Sequence, residues 1–171
     1  GCNTGRYSRM AARQGATVVA VDVDHDSVDV LYRSIAGTQG ADAGIQPIWT
    51  SFENPTPAMG FANRERRSFL SRHRAEAVLA LALIHHLHVS GRLPLPLLAR
   101  EFAGFTSKWL VIEYVDPADP MFRSHPAFRE DLYRGLTEEA FLQAFQPHFT
   151  FEEMMRLPGG LRTLFAMRKK D

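Results

Sequence analysis

Hydrophobic positions along the chain form short runs separated by amphipathic stretches, and the two periods alternate almost throughout. Residues 7–14 have helical spacing and lead into Gly15, which suits a helix C-terminus. Residues 17–21 (Thr-Val-Val-Ala-Val) are a β-branched run of the kind buried in a parallel sheet. Residues 27–35 return to helical spacing, with Val28, Leu31 and Ile35 on one face and Asp24 and Asp26 ahead of them as candidate caps. Residues 37–44 read as loop and residues 45–52 as a weaker strand. Pro55, Pro57 and Gly60 make residues 54–60 irregular, and residues 63–72 are predicted to be an arginine-rich helix.

In the second half, residues 77–83 are the strongest strand candidate. Residues 93–105 predict a helix that admits prolines in its first turn, and residues 108–115 a further strand. Residues 116–126 are a polar, proline-broken insertion, a surface loop or a lid. Residues 137–146 predict a helix with Thr137 as N-cap and Glu138 and Glu139 where the helix dipole favours acids. Residues 150–157 and 162–168, joined by Pro158-Gly159-Gly160, read as a hairpin. The expected architecture is α/β: a Rossmann-like, mostly parallel sheet with helices on both faces and a C-terminal antiparallel hairpin, in one domain spanning residues 1–171.

Composition changes this picture little. The chain has 171 residues, 45% hydrophobic and 23% charged, with a net charge of +1, so bulk charge selects no partner. Its longest apolar run, residues 77–87, is too short to span a bilayer and already carries His85 and His86. The single cysteine, Cys2, cannot form an internal disulfide, so nothing demands an oxidising compartment. No membrane association and a cytoplasmic location are the expectations; the oligomeric state is left open.

The chemistry begins at the first residue. The chain opens on Gly-Cys-Asn-Thr-Gly with no initiator Met. Such a loop normally follows a strand, so the sequence reads as a fragment that starts inside a glycine-rich cofactor loop, its first strand missing. Gly1 and Gly5 precede the first helix, where the lack of a Cβ lets backbone approach a ligand. The next strand ends at Asp22, placed to accept the hydroxyls of a ribose. A plainer alternative is that Gly5 ends a turn and Asp22 caps the following helix. The spacing Gly-x-x-x-Gly followed by Arg6-Tyr7-Ser8 is not the three-glycine signature of nicotinamide enzymes, and no Gly-Lys-Ser/Thr of a nucleoside triphosphatase is present.

Gly-Cys-Asn-Thr-Gly resembles the glycine-rich first motif of the class I S-adenosylmethionine-dependent methyltransferases. Val18 to Asp22 is similar to their second strand with its ribose acid, and Leu79 to Leu87 to their fourth strand and the loop after it. The terminal hairpin also fits, so the resemblance covers nearly the whole chain. It implies S-adenosylmethionine as cofactor and methyl transfer as reaction. By this resemblance Gly1, Asn3 and Gly5 line the methionine moiety, Asp22 holds the ribose, Val23 packs on the adenine, and Ser51 and Phe52 lie at the adenine edge. Ala82 joins them as a cofactor-binding position. The family often has an acid where this chain has Ser51.

The acceptor is not legible. Methyl transfer needs an aligned acceptor and, for some acceptors, a base, which leaves little fixed signature. His85 and His86 follow the strongest strand and are the candidates for proton transfer, the alternative being structural roles in the loop. No metal site is expected, because no Cys or acid adjoins His85 and His88 as a third ligand. Arg64, Arg66, Arg67, Arg72 and Arg74 cluster in sequence; Arg67 is the candidate for binding an anionic acceptor, against a solvated face paired with Glu65 and Glu76. Glu113 and Tyr114, at the end of a strand, are the other substrate-binding candidates. Trp49 and Trp109 are expected in the core. A small-molecule acceptor is favoured over RNA or protein, since a nucleic-acid surface would interleave aromatics with the basic residues. The rival reading is a non-catalytic binding module or a degenerate interaction domain.

Overall fold

The computed structural model describes residues 1–123, 130–133 and 135–171. The chain divides into two compact units, Gly1–His73 and Arg74–Asp171.

The first unit is a βαβ core. Helix α1 (Arg6–Arg13) leads into strand β1 (Val18–Asp22), helix α2 (His25–Ile35) and strand β2 (Ile45–Trp49). The strands are parallel, with Asp22 opposite Trp49 at their C-terminal ends. Asp24 caps α2 by accepting the backbone N–H of Asp26. Val28, Leu31 and Ile35 are buried as their spacing predicts, and Leu31 and Ile35 pack with Ala12, Ala20 and Ile45.

The predicted helix over residues 63–72 does not form. Only α3 (Phe69–Arg72) is helical, started by Ser68, whose side chain accepts the Ser71 backbone N–H. Ahead of it the chain folds back on itself: Met59 and Arg66 form an antiparallel bridge, and Ala62 and Asn63 both have positive φ. Two successive left-handed residues cannot continue a right-handed helix. Arginine's favourable helix propensity is overridden here by the closed loop.

In the second unit, strand β3 (Ala75–Ala80) is followed by helix α4 (Leu95–Phe105), strand β4 (Thr106–Val115), short helices α5 (Pro120–Arg123) and α6 (Glu130–Tyr133), helix α7 (Glu138–Phe145), and strands β5 (Phe149–Arg156) and β6 (Arg162–Lys169). The sheet order is β3-β4-β6-β5. β3 and β4 are parallel, whereas β6 is antiparallel to both β4 and β5. This gives the expected α/β plan with its closing hairpin. Thr137 caps α7 as predicted, accepting the Ala140 N–H. Of the insertion expected at residues 116–126, residues 124–126 lie outside the described residues.

Phe141, fully buried, joins helix to sheet: its ring centroid lies 4.5 Å from Phe145, 5.4 Å from Phe165 and 5.7 Å from Tyr114. Each such aromatic contributes roughly 1.5–3 kcal/mol by burial, so this cluster positions the C-terminal ends of β4 and α7. β5 is the edge strand of this sheet, and its register with β6 shifts between Phe151 and Glu153.

Candidate functional site

In the first unit the glycine loop and the β1 acid meet directly. The Asn3 N–H donates to Asp22 Oδ2 at 2.7 Å, and the Asp24 N–H donates to Asp22 Oδ1 at 3.0 Å. The backbone nitrogens of Gly1 and Cys2 donate to the Val21 carbonyl. Asn3 adopts φ 49°, a conformation asparagine tolerates better than most residues. Gly5 has φ 85°, and a Cβ there would run into the Leu31 side chain. Glycine at position 5 is therefore demanded twice, by the turn and by packing on α2.

Asp22 is the last residue of β1 and is buried, with 12% of its side chain exposed. Each of its oxygens spends one lone pair on a backbone N–H and keeps another. Two anchored acceptors at the end of a strand suit a pair of vicinal hydroxyls. Beside them, Val23 is 67% exposed and Trp49 62% exposed. Trp49, expected in the core, instead turns outward at the last position of β2. Its indole N–H donates to the Val23 carbonyl at 3.0 Å, and the His25 ring stands edge-on at 5.3 Å. This aromatic plate beside Asp22 was missed in the sequence because a Trp in a strand is most often core. Ser51 and Phe52 are half-buried just beyond it, and the Ser51 Oγ is occupied by the Glu53 N–H. Arg67 is exposed, and its carbonyl accepts Arg72 Nε.

In the second unit, β3 ends at Ala80, and Ala82, exposed, has φ 49°. The cause is Glu113: its Oε2 accepts the Ala82 N–H at 2.8 Å, while its Oε1 accepts Arg162 Nη1 at 3.3 Å. Arg162 is also forked onto Asp119, with Nε to Oδ2 at 2.7 Å. Both carboxylates are buried. Asp119 first, and Glu113 after it, raise the guanidinium pKa further. Glu113 thus shapes the loop after β3, with both oxygens engaged. Arg162 had no motif around it to mark it in the sequence.

The loop continues into a turn of π-helix, His86–Ser90. His85 is half-buried and His86 exposed, their ring centroids 4.1 Å apart. His88 Nδ1 is tied to the Leu93 carbonyl at 2.8 Å. Tyr114 is a core residue: its hydroxyl donates to the Leu136 carbonyl at 3.2 Å, and burial, reinforced by Asp116, holds its pKa far above the usual phenol value. Among the described residues no three His, Cys, Asp or Glu side chains are grouped to hold a metal ion, and no helix is long and apolar enough to cross a membrane.

Parallel strands, a pinned acid behind a glycine loop and an antiparallel closing hairpin make a Rossmann-like α/β fold, which this chain shares with solved S-adenosylmethionine-dependent methyltransferases. The chain superimposes on the CcbJ methyltransferase of Streptomyces caelestis with a TM-score of 0.66 at 13% identity, covering 99% of this chain and 86% of that one. It superimposes on magnesium protoporphyrin IX methyltransferase (ChlM) of Synechocystis PCC 6803, solved with S-adenosylmethionine bound, with a TM-score of 0.58 at 14% identity, covering 99% and 67%. In sequence it is 33% identical, over its full length, to the nodulation protein NoeA of Rhizobium meliloti (strain 1021), of which it spans 35%. No family model matches the chain.

Proposed function

We propose that the protein binds S-adenosylmethionine through its first unit and transfers the methyl group to a small-molecule acceptor. The observation that carries this reading is the convergence of the Asn3 N–H and the Asp22 carboxylate. Asp22 accepts the two ribose hydroxyls on its remaining lone pairs. Val23 and Trp49 offer the apolar surface for the adenine, with Ser51 and Phe52 at its edge. Gly1, Asn3 and Gly5 present backbone to the methionine portion. When bound, the cofactor supplies an electrophilic methyl carbon on a positively charged sulfur.

This chain's part in the reaction is to hold and orient. The pinned Asp22 is already in place before any ligand arrives, so little ordering accompanies binding. His85 and His86, in the loop after β3, are the candidates for taking a proton from the acceptor. Their loop is set by Glu113, which accepts the Ala82 N–H and whose role is positioning.

Calorimetric titration with S-adenosylhomocysteine tests the reading. Saturable one-site binding that Asp22→Asn weakens at least tenfold supports it. A flat titration at millimolar ligand removes it. Binding without turnover on any acceptor leaves a cofactor-binding module.

A further inference from the structure

The loop that replaced the predicted arginine-rich helix has a shape of its own. Its base is closed by paired backbone bonds, Met59 N–H to the Arg66 carbonyl at 2.9 Å and Arg66 N–H to the Met59 carbonyl at 3.1 Å. Its tip is the single turn Phe61–Asn63, held by the Asn63 N–H on the Gly60 carbonyl at 3.0 Å. Ala62 and Asn63 carry φ of 53° and 56° there. Gly60, at φ 85°, lies so close to the Glu65 side chain that no Cβ fits. The loop is therefore a closed finger with one defined shape.

What it presents is unusual for a soluble surface. Phe61 at the tip is 87% exposed. Met59 at the base and Leu70 just beyond, in α3, are also exposed. Arg64 follows the tip, and Arg66 and Arg67 stand at the base. All of residues 59–67 are exposed. Among the described residues none of Arg64, Arg66 or Arg67 has a carboxylate partner. Residues 59–72 hold four arginines against one acid, Glu65. A left-handed backbone at two non-glycine positions costs free energy and persists where a segment is held for use.

A convex finger encloses no small ligand. Single-stranded nucleic acid would need several stacking platforms, and Phe69, the other aromatic of the segment, is buried. An aromatic tip with cations behind it matches the layering of a lipid surface, where apolar groups enter the acyl boundary and arginines meet phosphates. We propose that this finger docks the protein peripherally on anionic lipid bilayers, Phe61 entering the interface and Arg64, Arg66 and Arg67 engaging lipid phosphates. Peripheral contact of this kind needs no spanning helix, and it is independent of cofactor binding.

Co-sedimentation of the full chain with phosphatidylcholine vesicles, with and without about one-third phosphatidylglycerol, tests this. The expected result is binding to the anionic vesicles only, at least tenfold weaker for the triple variant Arg64→Gln/Arg66→Gln/Arg67→Gln and for Phe61→Ser. Circular dichroism of both variants should match the parent. A Phe61→Trp variant should gain a blue shift in emission on the anionic vesicles beyond that of the parent chain. Equal binding to neutral vesicles, no binding, or binding indifferent to these substitutions overturns the proposal. So does binding to polyuridylate that the same variants abolish while vesicles are ignored.

Discussion

The Asn3 backbone N–H sits 2.7 Å from Oδ2 of Asp22, so the opening loop and the acid ending β1 are one hydrogen-bonded piece. Replacing Asp22 by Asn leaves one acceptor oxygen for the two backbone N–H donors of Asn3 and Asp24 and turns an amide NH2 toward the other. Charge-assisted hydrogen bonds are worth about 1.5–3 kcal/mol, so binding of S-adenosylhomocysteine should weaken roughly 10- to 100-fold. The same change should speed deuterium exchange at the Asn3 amide. Unchanged affinity in calorimetry would show that the acid does not touch the ligand.

Gly5→Ala should destabilise the protein by about 2–4 kcal/mol, combining the positive-φ penalty with overpacking against Leu31. Leu31→Ala makes room for the new methyl group. The double variant should therefore be less damaged than the sum of the two single ones. Urea unfolding of all four proteins measures this; strict additivity would mean that the contact with Leu31 is not what excludes alanine.

Removing Glu113 leaves Arg162 on Asp119 alone and frees the Ala82 N–H. Glu113→Ala should cost about 1.5–3 kcal/mol, the range for hydrogen bonds to a charged group, because Arg162 is part-exposed and keeps Asp119. Glu113→Gln keeps the acceptor for Ala82 and should cost clearly less. The chemical shift of the Ala82 amide reports the loop directly, and it should move in the alanine variant but stay near the parent position in the glutamine one.

Burial, helped by the neighbouring Arg72 charge, lowers the pKa of His73, which stacks on Phe69 with centroids 4.7 Å apart. The folded state thus binds this proton less readily than the unfolded chain. Stability should be unaffected well above the ordinary histidine pKa of 6.5, and fall as pH drops through that value until the folded pKa is passed. His73→Phe should flatten this stretch of the thermal-midpoint profile between about pH 7 and pH 5. An equally steep profile in the variant would place the responsible proton elsewhere.

Much of this was legible in the sequence. The βαβ start, the caps at Asp24 and Thr137 and the closing hairpin all follow from local rules, because period, caps and turns are encoded within a few residues. The pairing of Asn3 with Asp22 was readable as a spacing, not as a bond. Three features were hidden. Residues 63–72 look helical by composition, but a closure between Met59 and Arg66 decides their shape. Trp49 is apolar and in a strand, yet β2 ends there and the indole turns outward to Val23. Glu113 looked available for substrate because its partners, Ala82 and Arg162, lie 31 and 49 residues away. Long-range hydrogen bonds leave no periodic trace.

The edge strand β5 bears on how copies of this protein behave toward one another. Its outer edge has no strand beside it among the described residues. It is kinked by the register shift at Phe151/Glu153 and lined by exposed Glu152 and Glu153. A crooked, negatively charged border is a poor template for an incoming chain. Crowded solutions of the protein should for that reason resist fibril growth along this side, even though Met154 and Met155 lie open on it.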